Sequence, residues 1–166
     1  MLMNVEGNPM PSCKLAAATA AAIAACDEID GVKDGVIEDP HRCKYDPTPL
    51  IGTSEGDCGS FTEADANLIR RLWEGPHRKD GSFLWYGLPR GAELTALWAS
   101  RGIPPEAQAF GLSVDWFRYF LTQNPQLDWT TITPDLYERL WDQSVEEYGA
   151  VIGTDDPDLT EFHNRG

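Results

Sequence analysis

Residues 26–37 read Cys26-Asp27-Glu28-Ile29-Asp30-Gly31-Val32-Lys33-Asp34-Gly35-Val36-Ile37. Asp27, Asp30 and Asp34 crowd into one short stretch, and like charges held that close repel unless water or a cation neutralises them. Calcium takes about six to eight oxygens, from carboxylates mixed with backbone carbonyls. Gly31 and Gly35 can adopt positive φ, which lets the chain curl and turn carbonyls inward. Val32 and Val36 would then offer main-chain oxygens while their side chains point outward. The pattern is not an EF-hand, because Ile29 and Val32 stand where that loop needs acids or amides. Taken alone, these residues leave two readings open: a calcium loop, or two Asp-Gly turns whose acids are solvated.

The rest of the composition narrows the context. A chain of 166 residues fits one domain and buries a single core. Six Trp, six Phe and five Tyr, within 42% hydrophobic residues, argue against disorder. A formal charge of −14 disfavours nucleic acid, since phosphate binding needs clustered Lys and Arg, and it disfavours an anionic membrane surface. Solubility is the ordinary use of such charge. Residues 1–10 carry neither the basic start nor the apolar run of a secretion leader. The apolar run at 15–25 is Ala-rich and too short to span a bilayer. Cys13, Cys26, Cys43 and Cys58 include no C-x-x-C pair, which disfavours zinc and leaves disulfides or buried thiols, with three pairings open.

Along the chain, Pro11-Ser12 opens a helix predicted over 13–25, where Ala dominates. Residues 26–60 hold Asp, Gly and Pro at turn-like spacing and read as a long ordered loop, which needs a metal or a disulfide to hold it. Thr62 caps a helix that runs to about Trp73, with Asp65 completing a weak capping box and Gly75-Pro76 as its stop. Residues 83–86 suggest a short strand, 92–101 a helix, and 113–122 a helix with Val114, Phe117, Phe120 and Leu121 inward. Thr133-Pro134 starts the longest helix, to about Tyr148, with Leu136, Tyr137, Leu140, Trp141, Val145 and Tyr148 at helical spacing.

The run ACDEIDGVKDGVIEDP, followed by Arg42-Cys43 and Tyr45-Asp46-Pro47, resembles the lid of the tannase and feruloyl esterase family. Its C-D-x-x-D-G-x-x-D-G-x-I/V-x-x-P pattern is filled at every position. The stretch Leu72-Trp73-Glu74-Gly75-Pro76, the stretch Trp85-Tyr86-Gly87-Leu88-Pro89-Arg90-Gly91-Ala92-Glu93 and residues 151–164 continue the likeness. The resemblance covers nearly the whole chain but matches only the inserted lid. It implies structural calcium held by the side chains of Asp27, Asp30 and Asp34 and the backbone oxygens of Val32 and Val36. It implies a Cys26–Cys43 disulfide closing the loop, and a secreted or periplasmic parent enzyme. The family's second lid disulfide lacks its usual partner position near residues 50–52, so Cys13–Cys58 or two free thiols both remain. The expected fold is α+β, a single mainly helical lid over 1–166 with a small β element and a calcium-pinned loop, and without the α/β-hydrolase core.

The family's catalysis uses Ser, His and Asp on that core, with a Cys directly before the nucleophile, and this sequence has no Cys-Ser dipeptide. Gly52-Thr53-Ser54-Glu55-Gly56 fits G-x-S-x-G by letter. It lies among Pro47, Pro49 and Gly59 rather than between a strand and a helix, so it reads as a chance match. His41, His77 and His163 are scattered in loop-like contexts. The expectation is therefore a lid that is inactive alone, whose partners are the parent's α/β-hydrolase core and an aromatic carboxylic ester. Flat aromatic acids stack on aromatic side chains, which nominates Trp85, Tyr86, Phe110, Trp116 and Phe117, with Arg90 for a carboxylate or phenolic oxygen. Helix-core packing is the ordinary role of each of these rings. A free-standing calcium-dependent module for phenolic or sugar ligands is the alternative function, and a small esterase using Ser54 is a third.

Overall fold

The computed structural model describes residues 2–54, 56–96, 100–101, 106–107, 109–154 and 157–166. Its order is α1 (Leu2–Val5), α2 (Ser12–Cys26), α3 (Glu63–Glu74), β1 (Ser100–Arg101), β2 (Glu106–Ala107), α4 (Gly111–Asp115), a π-helix (Trp116–Leu121), α5 (Pro134–Ile152) and α6 (Thr160–Asn164). The strands form one antiparallel pair, Ser100 opposite Ala107 and Arg101 opposite Glu106. Among the described residues that is the only sheet, so the parallel sheet of a hydrolase core is not among them.

Two packing units emerge. In the first, α2 and α3 enclose a core of Met3, Met10, Leu15, Ala18, Ala22, Phe61, Leu68, Ile69, Leu72, Trp73 and Leu94. α2 contributes Leu15 and the small Ala18 and Ala22 to it, so Phe61 and α3 supply most of the bulk. Thr62 caps α3: its hydroxyl accepts from Asp65 N–H at 3.2 Å, and Asp65 accepts from Thr62 N–H at 2.8 Å. Lys14 is buried beside this cap and donates to Asp65 at 2.6 Å and to the Ser60 carbonyl at 2.7 Å. The second unit is a helical hairpin, in which α4 and the π-helix pack on α5 around Val114, Leu121, Ile132 and Leu140. None of its residues belongs to the first unit's core.

Cys26–Cys43 and Cys13–Cys58 are both disulfides, so the Cys13 and Cys58 thiols are not free. The long loop at 26–60 is ordered by short 3-10 turns at Asp27–Asp30, Thr48–Leu50 and Gly56–Cys58. It is also pinned by Arg70, which donates to Asp46 at 2.7 Å and to the Thr48 hydroxyl at 2.6 Å. That guanidinium and the Thr48 hydroxyl hold the Asp46 carboxyl well below the usual range.

Four local expectations need correction. The strand over 83–86 is absent; Phe83 makes only an isolated bridge to His77, and Leu84 N–H turns back to the Pro76 carbonyl at 3.1 Å. The cause is a backbone crossing: a Cβ on Gly75 would lie 2.4 Å from Gly87 N, and one on Gly87 would lie 2.4 Å from the Leu72 and Trp73 carbonyl oxygens. That crossing bends residues 75–87 into a loop. The helix over 92–101 is a 3-10 turn at Leu94–Ala96 and, at Ser100–Arg101, a strand; residues 97–99 lie outside the described residues. The helix over 113–122 starts at Gly111 and becomes a π-helix, whose wider turn leaves Phe120 exposed. Val145, placed at helical spacing with the inward residues, is exposed because the π-helix meets α5 through Ser144 and Tyr148 and leaves Val145 off that face.

Candidate functional site

The acidic loop takes its shape from Gly31 and Gly35, whose φ values of 93° and 79° are the left-handed geometry the sequence called for. Asp27 is buried, and one of its oxygens accepts from the N–H groups of Asp34 at 3.1 Å and Gly35 at 2.9 Å. Asp30 accepts from Val32 N–H at 2.9 Å, and Asp34 from Val36 N–H at 3.0 Å. Val32 and Val36 point their side chains to solvent. Among the described residues no ion pair reaches Asp27, Asp30 or Asp34; Lys33, within the loop, pairs with Glu28 at 2.9 Å. The donor set has the hard-oxygen chemistry a calcium ion takes, and each of the three Asp residues keeps its second oxygen outside these bonds. As arranged, however, each first oxygen serves the backbone, and among the described residues no three His, Cys, Asp or Glu side chains gather into a metal-holding group.

The second feature is aromatic. Starting at the 75–87 loop, Phe83 meets Tyr86 at 5.0 Å between centroids, Tyr86 meets Trp85 at 5.6 Å, and Trp85 meets Trp141 of α5 at 6.2 Å. Trp141 continues to Tyr137 at 6.3 Å, and Tyr137 to Phe117 at 6.2 Å. The strip thus brings together three of the nominated residues, Trp85, Tyr86 and Phe117. Trp85 is 57% exposed and Tyr86 66%. Burial raises the Tyr137 hydroxyl above its ordinary pKa.

The other nominees lie elsewhere. Trp116 stacks on Phe120 at 4.5 Å, meets Tyr148 at 5.0 Å, and donates its indole N–H to Ser144 at 3.0 Å, which ties the π-helix to α5. Phe110 sits at the N-cap of α4, part-exposed. Arg90 folds over the Trp73 ring at 5.0 Å and donates to the Tyr45 carbonyl at 2.8 Å, which makes it a brace within the first unit. Trp141 and Tyr137 were missed as site residues because their i, i+4 spacing on α5 has the same signature as a buried helix face.

Among the described residues around Ser54 there is no strand-to-helix turn of the kind a nucleophile elbow needs. Its hydroxyl meets the Ser60 hydroxyl at 2.9 Å within an isolated bridge, and Glu55 lies outside the described residues. Among the described residues no His forms an ion pair with an acid; His77 faces the Gly75 carbonyl at 3.1 Å. No described helix is long and apolar enough to cross a membrane.

Comparison with known proteins places this arrangement. The family model described as tannase and feruloyl esterase matches residues 3–166. A "Probable feruloyl esterase" of Arthroderma benhamiae is 34% identical over 161 residues, covering 93% of this chain and 30% of the relative. The structure of feruloyl esterase B from Aspergillus oryzae superposes with a TM-score of 0.72 at 26% identity, over 95% of this chain and 30% of that one. A tannin acyl hydrolase from Aspergillus niger shares the fold, with a TM-score of 0.82 at 19% identity, over 99% of this chain and 33% of that one. The chain therefore spans about a third of the length of the proteins it matches. Two disulfides and these fungal relatives fit an oxidising, extracellular setting. The chain belongs to the tannase and feruloyl esterase family.

Proposed function

We propose that residues 1–166 are the lid of a carboxylic ester hydrolase: a calcium-stabilised unit that shapes the pocket for an aromatic acyl group while the parent's α/β-hydrolase core carries the catalytic Ser, His and Asp. The observation that carries this reading is the match over residues 3–166 to a segment about a third as long as the relatives. Relatives named for feruloyl esters and tannins support an aromatic ester as substrate. The exposed rings of Trp85 and Tyr86 support it independently, because such surface costs free energy in water unless a ligand or partner covers it.

An exposed apolar surface also supports the reading. Val151, Ile152, Leu159 and Phe162 are exposed on the last turn of α5 and around α6, with Phe162 at 77%. In this reading the parent core covers them, and the parent is secreted.

Calcium would be held by Asp27, Asp30 and Asp34 with the Val32 and Val36 carbonyls. When bound, it supplies charge neutralisation to three crowded carboxylates. The loop's own preparation is its two left-handed glycines and the Cys26–Cys43 bond.

Thermal unfolding with excess calcium and then with a chelator tests the metal part. A ligand at about a hundred times its Kd stabilises by roughly 2.7 kcal/mol, a shift of about 5–10 °C at this chain length. The shift should vanish in Asp30→Ala. No shift, together with no calcium by elemental analysis, would reduce the loop to turn chemistry. The chain alone should hydrolyse no ester, and activity lost in Ser54→Ala would instead support the small-esterase reading.

A further inference from the structure

The two disulfides differ in their surroundings. Cys26 and Cys43 are 4% and 1% exposed, so that bond lies out of reach of solvent. Cys13 and Cys58 are only half-buried, and the chain beside Cys58, at Gly56, Asp57, Gly59 and Ser60, is exposed. All four cysteines of the sequence are paired, so exchange at either bond needs a thiol from outside residues 1–166. The two ends of Cys13–Cys58 also differ. Cys13 is the second residue of α2, which begins at Pro11 without a side-chain cap. The partial positive charge of an uncapped helix start favours a thiolate there. Cys58 ends a 3-10 turn directly after the exposed acid Asp57, which disfavours negative charge on its sulfur. Of the two, Cys13 is the better leaving group. The loop that carries Cys58 has other anchors. Gly52 N–H donates to the Phe61 carbonyl at 2.9 Å and Phe61 N–H to the Thr53 carbonyl at 2.8 Å. Phe61 is buried in the first unit's core, and Lys14 holds the Ser60 carbonyl at 2.7 Å. The base of the loop is therefore tied to α2 and α3 whether or not the sulfurs are joined.

We infer that Cys13–Cys58 is a thiol-exchange site, opened by low-molecular-weight thiols with Cys58 taking up the thiol, while Cys26–Cys43 and the fold stay intact. The incoming thiolate attacks the Cys58 Sγ. A new S–S bond forms there, the Cys13–Cys58 bond breaks, and its electron pair leaves on the Cys13 Sγ. A second thiolate then attacks the added sulfur of the mixed disulfide and releases Cys58 as a thiolate. Two small thiols are oxidised to one disulfide, and one protein disulfide is reduced to two thiols. The result is a redox-sensitive clasp. In oxidising surroundings the tip of the loop is fastened to the start of α2; where thiols accumulate it is released, or capped by the small thiol at Cys58. This holds whether or not residues 1–166 act as a lid.

The experiment incubates the folded chain with millimolar reduced glutathione in mildly alkaline buffer, alkylates free thiols at timed intervals, and maps the peptides by mass spectrometry. The expected result is glutathione on Cys58 and alkylation on Cys13. Cys26–Cys43 should open more slowly by about tenfold or more, because a buried bond must wait for local opening. Denaturant should shrink that gap. Asp57→Asn should move part of the adduct to Cys13, an effect that exposure alone would not produce. Near-ultraviolet circular dichroism of the glutathione-bearing chain should keep the tertiary signal of the parent chain. Opening of Cys26–Cys43 first or at the same rate overturns the proposal, as does an adduct mainly on Cys13. Loss of the near-ultraviolet signal on thiol uptake, or no opening at millimolar glutathione, overturns it too.

Discussion

Replacing Asp65 by Ala removes the residue on which the first unit's polar interior converges. Its carboxylate accepts from Lys14 at 2.6 Å, Thr62 N–H at 2.8 Å and Asn8 at 3.2 Å, and it is 2% exposed. Burial alone would raise its pKa, but hydrogen bonds from Lys14, Thr62 and Asn8 outweigh that and hold it below the ordinary carboxylate value. Without it, buried Lys14 keeps the Ser60 carbonyl and the Phe61 ring but loses its counter-charge. Breaking a buried pair from one side costs about 3–5 kcal/mol, which at this length lowers the melting temperature on the order of 10 °C. Calorimetric melts at neutral pH measure it. The decisive variant is the double one: if an unpaired charge is the cause, adding Lys14→Met to Asp65→Ala should recover part of the loss. If Lys14→Met instead costs as much in that background as in the parent chain, the buried-charge reasoning is refuted. The pH dependence has a fixed sign. A depressed folded pKa means that the stabilisation is present above the unfolded value, about 3.9, and is lost as pH falls through the folded one. The difference between parent chain and Asp65→Ala should therefore shrink only in acid below about pH 4.

Two further perturbations probe the frame. Gly87→Ala places a Cβ 2.4 Å from two backbone carbonyl oxygens and should destabilise by about 2–4 kcal/mol while displacing Trp85 and Tyr86; a melt within 1 °C of the parent's would contradict the crossing. Cys43→Ser opens the loop that Cys26 closes across a separation of 17, and should cost about 3 kcal/mol, read as a lower denaturant midpoint.

Elements governed by neighbouring residues were legible in the sequence. The Thr62–Asp65 box, the Thr133-Pro134 start and the left-handed Gly31 and Gly35 each depend on a few adjacent positions, and each is found as read. The resemblance supplied the Cys26–Cys43 pairing, which spacing left open. What stayed hidden needed distant partners. The strand expected at 83–86 fails because Gly87 must cross Gly75, a constraint that neither local pattern expresses. The π-helix at Trp116–Leu121 has the same apolar spacing as an α-helix, and only the packing of Trp116 on Ser144 and Tyr148 distinguishes it. Trp141 joins the aromatic strip only because Arg78 and Lys79 dock a remote turn on α5, so its role could not be read from α5 itself.

The most direct test of the lid assignment is a chimera in which residues 3–166 replace the matching segment of feruloyl esterase B from Aspergillus oryzae. Hydrolysis of a neutral aromatic ester and of an aliphatic ester is compared with a lid-deleted enzyme. The account predicts that the chimera hydrolyses the aromatic ester with a clear preference, expressed in KM and reduced by Trp85→Ala. A chimera that melts cooperatively, yet treats the two esters no differently from the lid-deleted enzyme, would contradict it.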